Sequence, residues 1–386
     1  MGKWIKFALR RNLIYPLQLI IWQLLRKIET IIIGHFFNFN DSLFYTPLMF
    51  LGEFVSGLIF FLYQKNFLKE KKVAPKIFSI NLIYNKENMV SPDSDKKIFV
   101  LLFFGAFFDG IQFLIWTVNV PKFIGISGSI VSRLSGILAI SSAILYYFVL
   151  RLQIFKHQLF SLIASGICAI IVIATEFIFQ DINIFLSYGN FVLVVILAII
   201  SQILSAFLDS TEKYLFEIDF INPFFALMFE GLFGFIMSFL YFLIPGYLED
   251  IKHAYKTFST GELVWFTLLL FLYIILCGGR NVYRVVTNKL YSPMTRALTD
   301  YFLNPLFIIY DFSVGNDFLK NGERNIAYFI INLIISFVIS ICGCVYNEFM
   351  ILFCCELERN THELVSRRAS TVYELDTINK EFEIED

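Results

Sequence analysis

Apolar runs of about twenty residues recur along the whole chain, the length an α-helix needs to cross a hydrocarbon core of about 30 Å. The runs are continuous rather than alternating, which excludes a transmembrane β-barrel. Inside lipid every backbone N–H and C=O must be satisfied within its own segment, so each run reads as a helix. Composition agrees. With 58% hydrophobic residues, 16% charged residues and a mean hydropathy of +0.70, the 386-residue chain has too few polar side chains to cover a soluble fold. The fold class expected is an all-α membrane protein.

Ten spans are predicted, at 13–34, 43–64, 97–118, 128–150, 157–179, 190–212, 223–245, 262–287, 293–312 and 325–353. They divide the chain into a cytoplasmic N-terminus (1–12), a first five-helix unit (13–180), a second five-helix unit (190–353) and a charged, disordered tail (356–386). A lysine-rich loop, 66–96, lies within the first unit. The N-terminus has no small-residue cleavage site after a short apolar core, so the first span reads as an uncleaved signal-anchor.

Lysine and arginine fall mainly on the N-terminal side of the spans, including Lys3, Arg10, Arg11 and the run from Lys65 to Lys97. The positive-inside rule therefore places both termini in the cytoplasm. Asn40 opens an Asn-Asp-Ser sequon on the other side, in a loop too short for glycosylation to be expected. The net charge of −1 gives no basic surface for nucleic acid. The six cysteines lie in or beside apolar runs without a CxxC pair, which reads as packing rather than a disulfide framework or metal site. Histidines 35, 157, 253 and 362 are far apart, and no nucleophile–base set or phosphate loop is evident. An enzyme is not expected, nor any cofactor or metal.

Two motifs occur twice in the same order. The second span has Leu48-Met49-Phe50, then Glu53 and Gly57; the seventh has Leu227-Met228-Phe229, then Glu230 and Gly234. The fourth span has Ser129, Ser132 and Arg133; the ninth has Ser292, Thr295 and Arg296. Five helices is an odd number, so a repeat of five enters the membrane upside down. Inverted repeats of this kind are the architecture of alternating-access carriers.

With the helix 7 stretch Glu230-Gly231-Leu232-Phe233-Gly234 and with Thr295, Arg296 and Asp300 in helix 9, the chain resembles the drug/metabolite transporter superfamily. Within it, the chain is most similar to solute carrier family 35, F-type. The resemblance covers about residues 10–350 and implies a 5+5 inverted-repeat fold and carriage of a small solute. The lysine-bearing helix 9 motifs of nucleotide-sugar transporters are not evident.

Ionisable residues within a span cost about 2.5–3.5 kcal/mol on insertion scales, so they face a cavity or a partner. Gln23, Arg26, Glu29 and Thr30 share one side of helix 1, where Arg26 and Glu29 could also neutralise each other one turn apart. Asp109, Gln112, Trp116 and Asn119 form a polar stripe on helix 3 that suits a solute with hydrogen-bonding groups and a flat part. Helix–helix hydrogen bonding is the alternative. The substrate-binding candidates are Gln23, Arg26, Asp109, Gln112, Trp116 and Asn119. The gating candidates are Glu53 with Arg133 on the outer side and Glu230 with Arg296 on the inner side, with Asp300 able to neutralise Arg296 instead. Arg284 is expected to snorkel to the headgroups, Arg280 is left open, and Pro305 is expected to shape helix 9. Small-residue stripes on helices 4 and 5, including Ala139, Ala143, Ser161 and Ser165, read as packing. In the tail, Arg367-Arg368-Ala369-Ser370 has the form of a basophilic-kinase site, and Cys354-Cys355 lie where acylation is feasible.

The function expected is secondary-active transport of a small organic metabolite by alternating access in an endomembrane organelle, with lipid as the surrounding partner and a homodimer left open. The alternative is a non-transporting, degenerate carrier that serves as a membrane scaffold or assembly subunit.

Overall fold

The computed structural model describes residues 5–7, 14–37, 42–67, 92–114, 135–150, 154–179, 188–217, 221–240, 252, 255–256, 258–314, 319–320, 323–355, 357 and 361. Among these the chain is helical apart from two short antiparallel strand pairs. The helices are α1 (Ile14–Phe37), α2 (Ser42–Phe67), α3 (Pro92–Leu114), α4 (Ser135–Leu150), α5 (Lys156–Phe179) and α6 (Tyr188–Glu217). They continue with α7 (Pro223–Ser238), α8 (Thr260–Leu290), α9 (Pro293–Asp300), α10 (Asn304–Ser313) and α11 (Ile326–Tyr346).

Five of these helices, α2, α5, α6, α8 and α11, are long and apolar enough to cross a membrane, and α3, α4 and α7 contain shorter apolar stretches. The surface points the same way. On α1 the exposed residues Ile14, Leu17, Ile21, Leu25, Ile28 and Ile32 recur every three or four positions, a continuous apolar stripe at helical period. α11 repeats it with Ile326, Ile330, Ile334, Phe337 and Ile341. Water would penalise such stripes; lipid does not. The chain has the features of a multi-pass membrane protein.

Local chemistry explains several helix ends. Asn222, Ser259, Ser292 and Asn325 each cap a helix by accepting a backbone N–H, and at Ser259 the bond is returned by Glu262 in a capping box. The expected ninth span is broken. α9 ends at Asp300, residues 301–303 form a 3-10 turn, and α10 restarts with Pro305 in its first turn. Pro305 lacks the N–H that would bond back to Tyr301, which removes a ladder bond where the span breaks. The tenth span also ends earlier than expected. α11 stops at Tyr346, Glu348 adopts φ 56°, and Met350–Leu352 instead pair antiparallel with Ile5–Phe7.

α2 packs along α7 and α8, α1 along α8, and α3 along α6 and α7. α4 packs on α5, α6 and α9, while α11 packs on α5 and α10. The α2–α7 crossing is backbone to backbone. A Cβ added at Gly57 would lie 2.6 Å from the Met228 nitrogen, and one at Gly231 would collide with the Phe54 backbone. Apolar cores fill the rest. Leu138, Val172, Leu298 and Ile339 pack with Cys168 in one cluster, while Phe50, Phe266, Leu270 and Tyr273 pack with Cys277 in another.

Candidate functional site

The polar groups are inside. α6 carries Gln202, Ser205, Asp209 and Glu212 at spacings of three and four, all buried. Helical period puts them on the face that meets α3, α8 and α9. α8 answers with Asn281, Arg284 and Asn288, also buried and also three or four apart. α2 contributes Glu53, α3 Asp109, α7 Glu230 and α9 Arg296.

Arg284 is the hub. Its Nη2 lies 2.8 Å from Glu212 and 3.1 Å from Glu230, and its Nη1 lies 3.6 Å from Asp209. Asp209 also takes Arg296 at 2.8 Å, and Arg296 Nη1 reaches Ser205 Oγ at 3.4 Å. Asn288 donates to the Asp209 carbonyl and to Glu212 Oε2, at 2.8 and 2.7 Å. A second chain runs along α8 into α2: Arg280 donates to Asn281 Oδ1 at 2.8 Å, and Asn281 Nδ2 donates to Glu53 Oε1. Lys213 stands apart from this network. It ion-pairs with Glu217 at 2.7 Å and donates to the Lys289 and Tyr291 carbonyls at 2.8 Å, closing the C-terminal end of α8.

Several buried polar atoms lack a hydrogen-bond partner among the described residues: Glu53 Oε2, Gln112 Oε1, Gln23 Oε1 and both oxygens of Glu29. Each such atom costs about 1–3 kcal/mol when nothing replaces water. Asp109 is 7% exposed on α3. Among the described residues no group of three His, Cys, Asp or Glu side chains is arranged to hold a metal ion.

The sequence-derived candidates divide as follows. Glu230 and Arg296 are joined through Arg284 and Asp209, Glu53 is bonded to Asn281, one turn from Arg284 on α8, and Asp109 is buried on α3. Gln23 and Arg26 lie on α1, which packs on α8. Thr30 hydroxyl bonds back to the Arg26 carbonyl at 2.9 Å, so it serves its own helix. Trp116, Asn119 and Arg133 lie outside the described residues, as does the side chain of Asp300. The Glu230–Arg296 pair does not form in this conformation: Glu230 takes Arg284, and Arg296 takes Asp209. Arg284 does not snorkel; it is 2% exposed and held by three carboxylates. Asp209, Glu212, Asn281 and Asn288 were not anticipated. The three-and-four spacing that marks Asp109 and Gln112 was present on α6 and α8 as well. Compared with known proteins, the chain matches no family model and no curated sequence.

Proposed function

We propose that the chain is a secondary-active carrier that moves a small organic metabolite across an organellar membrane by alternating access. The single observation that carries this reading is the buried network of α2, α3, α6, α7, α8 and α9, set inside a molecule whose outer surface is apolar. A degenerate scaffold has no need to keep Glu53 Oε2, Gln112 Oε1 and Gln23 Oε1 buried without partners among the described residues, since apolar residues at those positions would remove the cost. A carrier does need them, because an incoming solute supplies the missing bonds.

The packing supports an inverted 5+5 repeat. Taking α9 and α10 as one broken span and α11 as the tenth, exchange each span with the one five places on. The α1–α8 contact becomes α6–α3, α2–α8 becomes α7–α3, and α4–α6 becomes the contact of α9 with α1. α2–α7, α4–α9 and α5–α11 map onto themselves. Glu53 and Glu230 lie on the two exchanged helices, and each is bonded to α8 in this conformation, Glu53 to Asn281 and Glu230 to Arg284. The solute site lies between the halves, as inverted repeats require, with both termini on the cytoplasmic side.

The test is uptake of a metabolite library into liposomes containing the purified full-length chain. Saturable uptake that Asp109→Asn abolishes, while the variant still folds, supports the reading. Failure of every library member to accumulate above empty liposomes favours the scaffold.

A further inference from the structure

We propose that Lys213 is a releasable clamp on the side of the molecule where α6 and α8 end, and that its grip on the end of α8 must break for the solute site to open there. What it gates rests on the carrier reading; the clamp itself does not.

Packing identifies the parts that Lys213 joins. α6 packs along α3 and α4, whereas α8 packs along α1 and α2. Hydrogen bonds and ion pairs link the two helices near their C-terminal ends, from Asp209 to Lys213 on α6 and from Arg284 to the cap residue Tyr291 on α8. Farther back the helices serve different cores. Val195 and Ala198 of α6 pack with Leu138, Leu162 and Ile339, while Phe266, Leu270 and Tyr273 of α8 pack with Ile33 and Phe50. These polar contacts therefore tie two packing groups together where both helices finish, which is the cytoplasmic side in the proposed topology. Lys213 stands last in the series on α6.

Chemistry makes Lys213 a clamp and not a fixed brace. It is 1% exposed, and an ammonium has three donors and no acceptor. Glu217 accepts at 2.7 Å, and the Lys289 and Tyr291 carbonyls accept at 2.8 Å. A helix commonly satisfies its last carbonyls from its own chain, through a glycine just past the end. Here Tyr291-Ser292-Pro293 follow Leu290, and the donor comes from another helix, bringing a positive charge to the negative end of the α8 dipole. The two holds then differ in what they travel with. Glu217 lies one turn along α6 with 44% of its side chain exposed, so this ion pair moves with α6 and has a path to water. The carbonyls move with α8. When the ends part, Lys213 keeps its counter-charge and exchanges two main-chain acceptors for water, so no unpaired ammonium is left buried. The flexible lysine stem allows that swing.

The experiment labels Gln112→Cys with a membrane-impermeant maleimide in right-side-out and inside-out vesicles, in the full-length chain with Cys344, Cys354 and Cys355 replaced by serine. Adding Lys213→Met should speed labelling from the cytoplasmic side several-fold and slow it from the other side, because the population moves toward the state open to the cytoplasm. Lys213→Arg keeps a charged donor long enough to reach the carbonyls and should stay near the parent. A lysine that only holds the fold together would lower the thermal unfolding midpoint without moving the two rates in opposite senses. Where circular dichroism shows that Lys213→Met does not fold, Lys213→Gln takes its place, an uncharged side chain too short for both carbonyls. Unchanged rates in a folded variant, or rates that rise together from both sides, overturn the clamp. A parent labelled only from the non-cytoplasmic side, with Lys213→Met labelled from both, refutes the carrier reading and leaves the clamp standing. A parent labelled from both sides, with rates that Lys213→Met leaves alone, refutes the clamp and spares the carrier.

Discussion

At the scale of single residues, Arg284 decides whether the network holds. It is 2% exposed and meets three carboxylates, and removing one partner of a buried ionic set costs about 3–5 kcal/mol, because the charges left behind are uncompensated. Arg284→Met should therefore lower the thermal unfolding midpoint sharply in detergent, and Arg284→Lys should fall between it and the unsubstituted chain. A midpoint unchanged by Arg284→Met would mean that the cluster is already neutral without it. The ion pair also predicts which charge swap works. Glu230→Arg should abolish uptake, and adding Arg284→Glu should restore more of it than adding Arg296→Glu. Rescue by Arg296→Glu alone would restore the inner gate expected from the repeat and place it in another conformation.

At the scale of elements, α2 and α7 cross backbone to backbone at Gly57 and Gly231. Overpacking a close contact costs about 1–3 kcal/mol. Gly57→Leu should lower the unfolding midpoint and reduce uptake, whereas Gly261→Ala, where an added Cβ meets nothing within 4 Å, should change neither. Equal tolerance at both positions would count against close backbone contact between α2 and α7. The helices themselves were legible in the sequence because lipid imposes a length on them: most described ends lie within a few residues of the expected spans. Pro305 was expected only to shape the ninth helix, whereas the structure breaks that span between α9 and α10. What misled was the last span. Its apolar run continues through Met350–Leu352, but apolar character there serves a strand paired with Ile5–Phe7, and hydropathy cannot tell the two apart.

At the scale of the whole molecule, about half of the buried network was legible. Glu53, Asp109, Glu230 and Arg296 stood out because a charge in an apolar run has an insertion cost that demands a partner. Asp209 and Glu212 were passed over because they lie near the end of a predicted span, where charges ordinarily meet water. Arg284 was assigned to the headgroups for the same reason. α6 and α8 run beyond the lengths expected of them, to Glu217 and Leu290, and that extension carries these residues into the interior. Topology is tested as a unit by tags at Met1 and Asp386. In sealed right-side-out vesicles both should resist protease, and cleavage of only one would mean an odd number of spans.

Alternating access is the central claim, and labelling a residue of the site from each side of the membrane tests it most directly. Gln112 is partly buried on α3, one turn from Asp109. Gln112→Cys is introduced into a chain whose accessible Cys344, Cys354 and Cys355 are replaced by serine, leaving the buried Cys168, Cys277 and Cys342. A membrane-impermeant maleimide is then applied to right-side-out and to inside-out vesicles. The account predicts labelling from both sides, with each rate lowered when a transported solute is present. Labelling from one side only, or from neither in a folded protein, would contradict it.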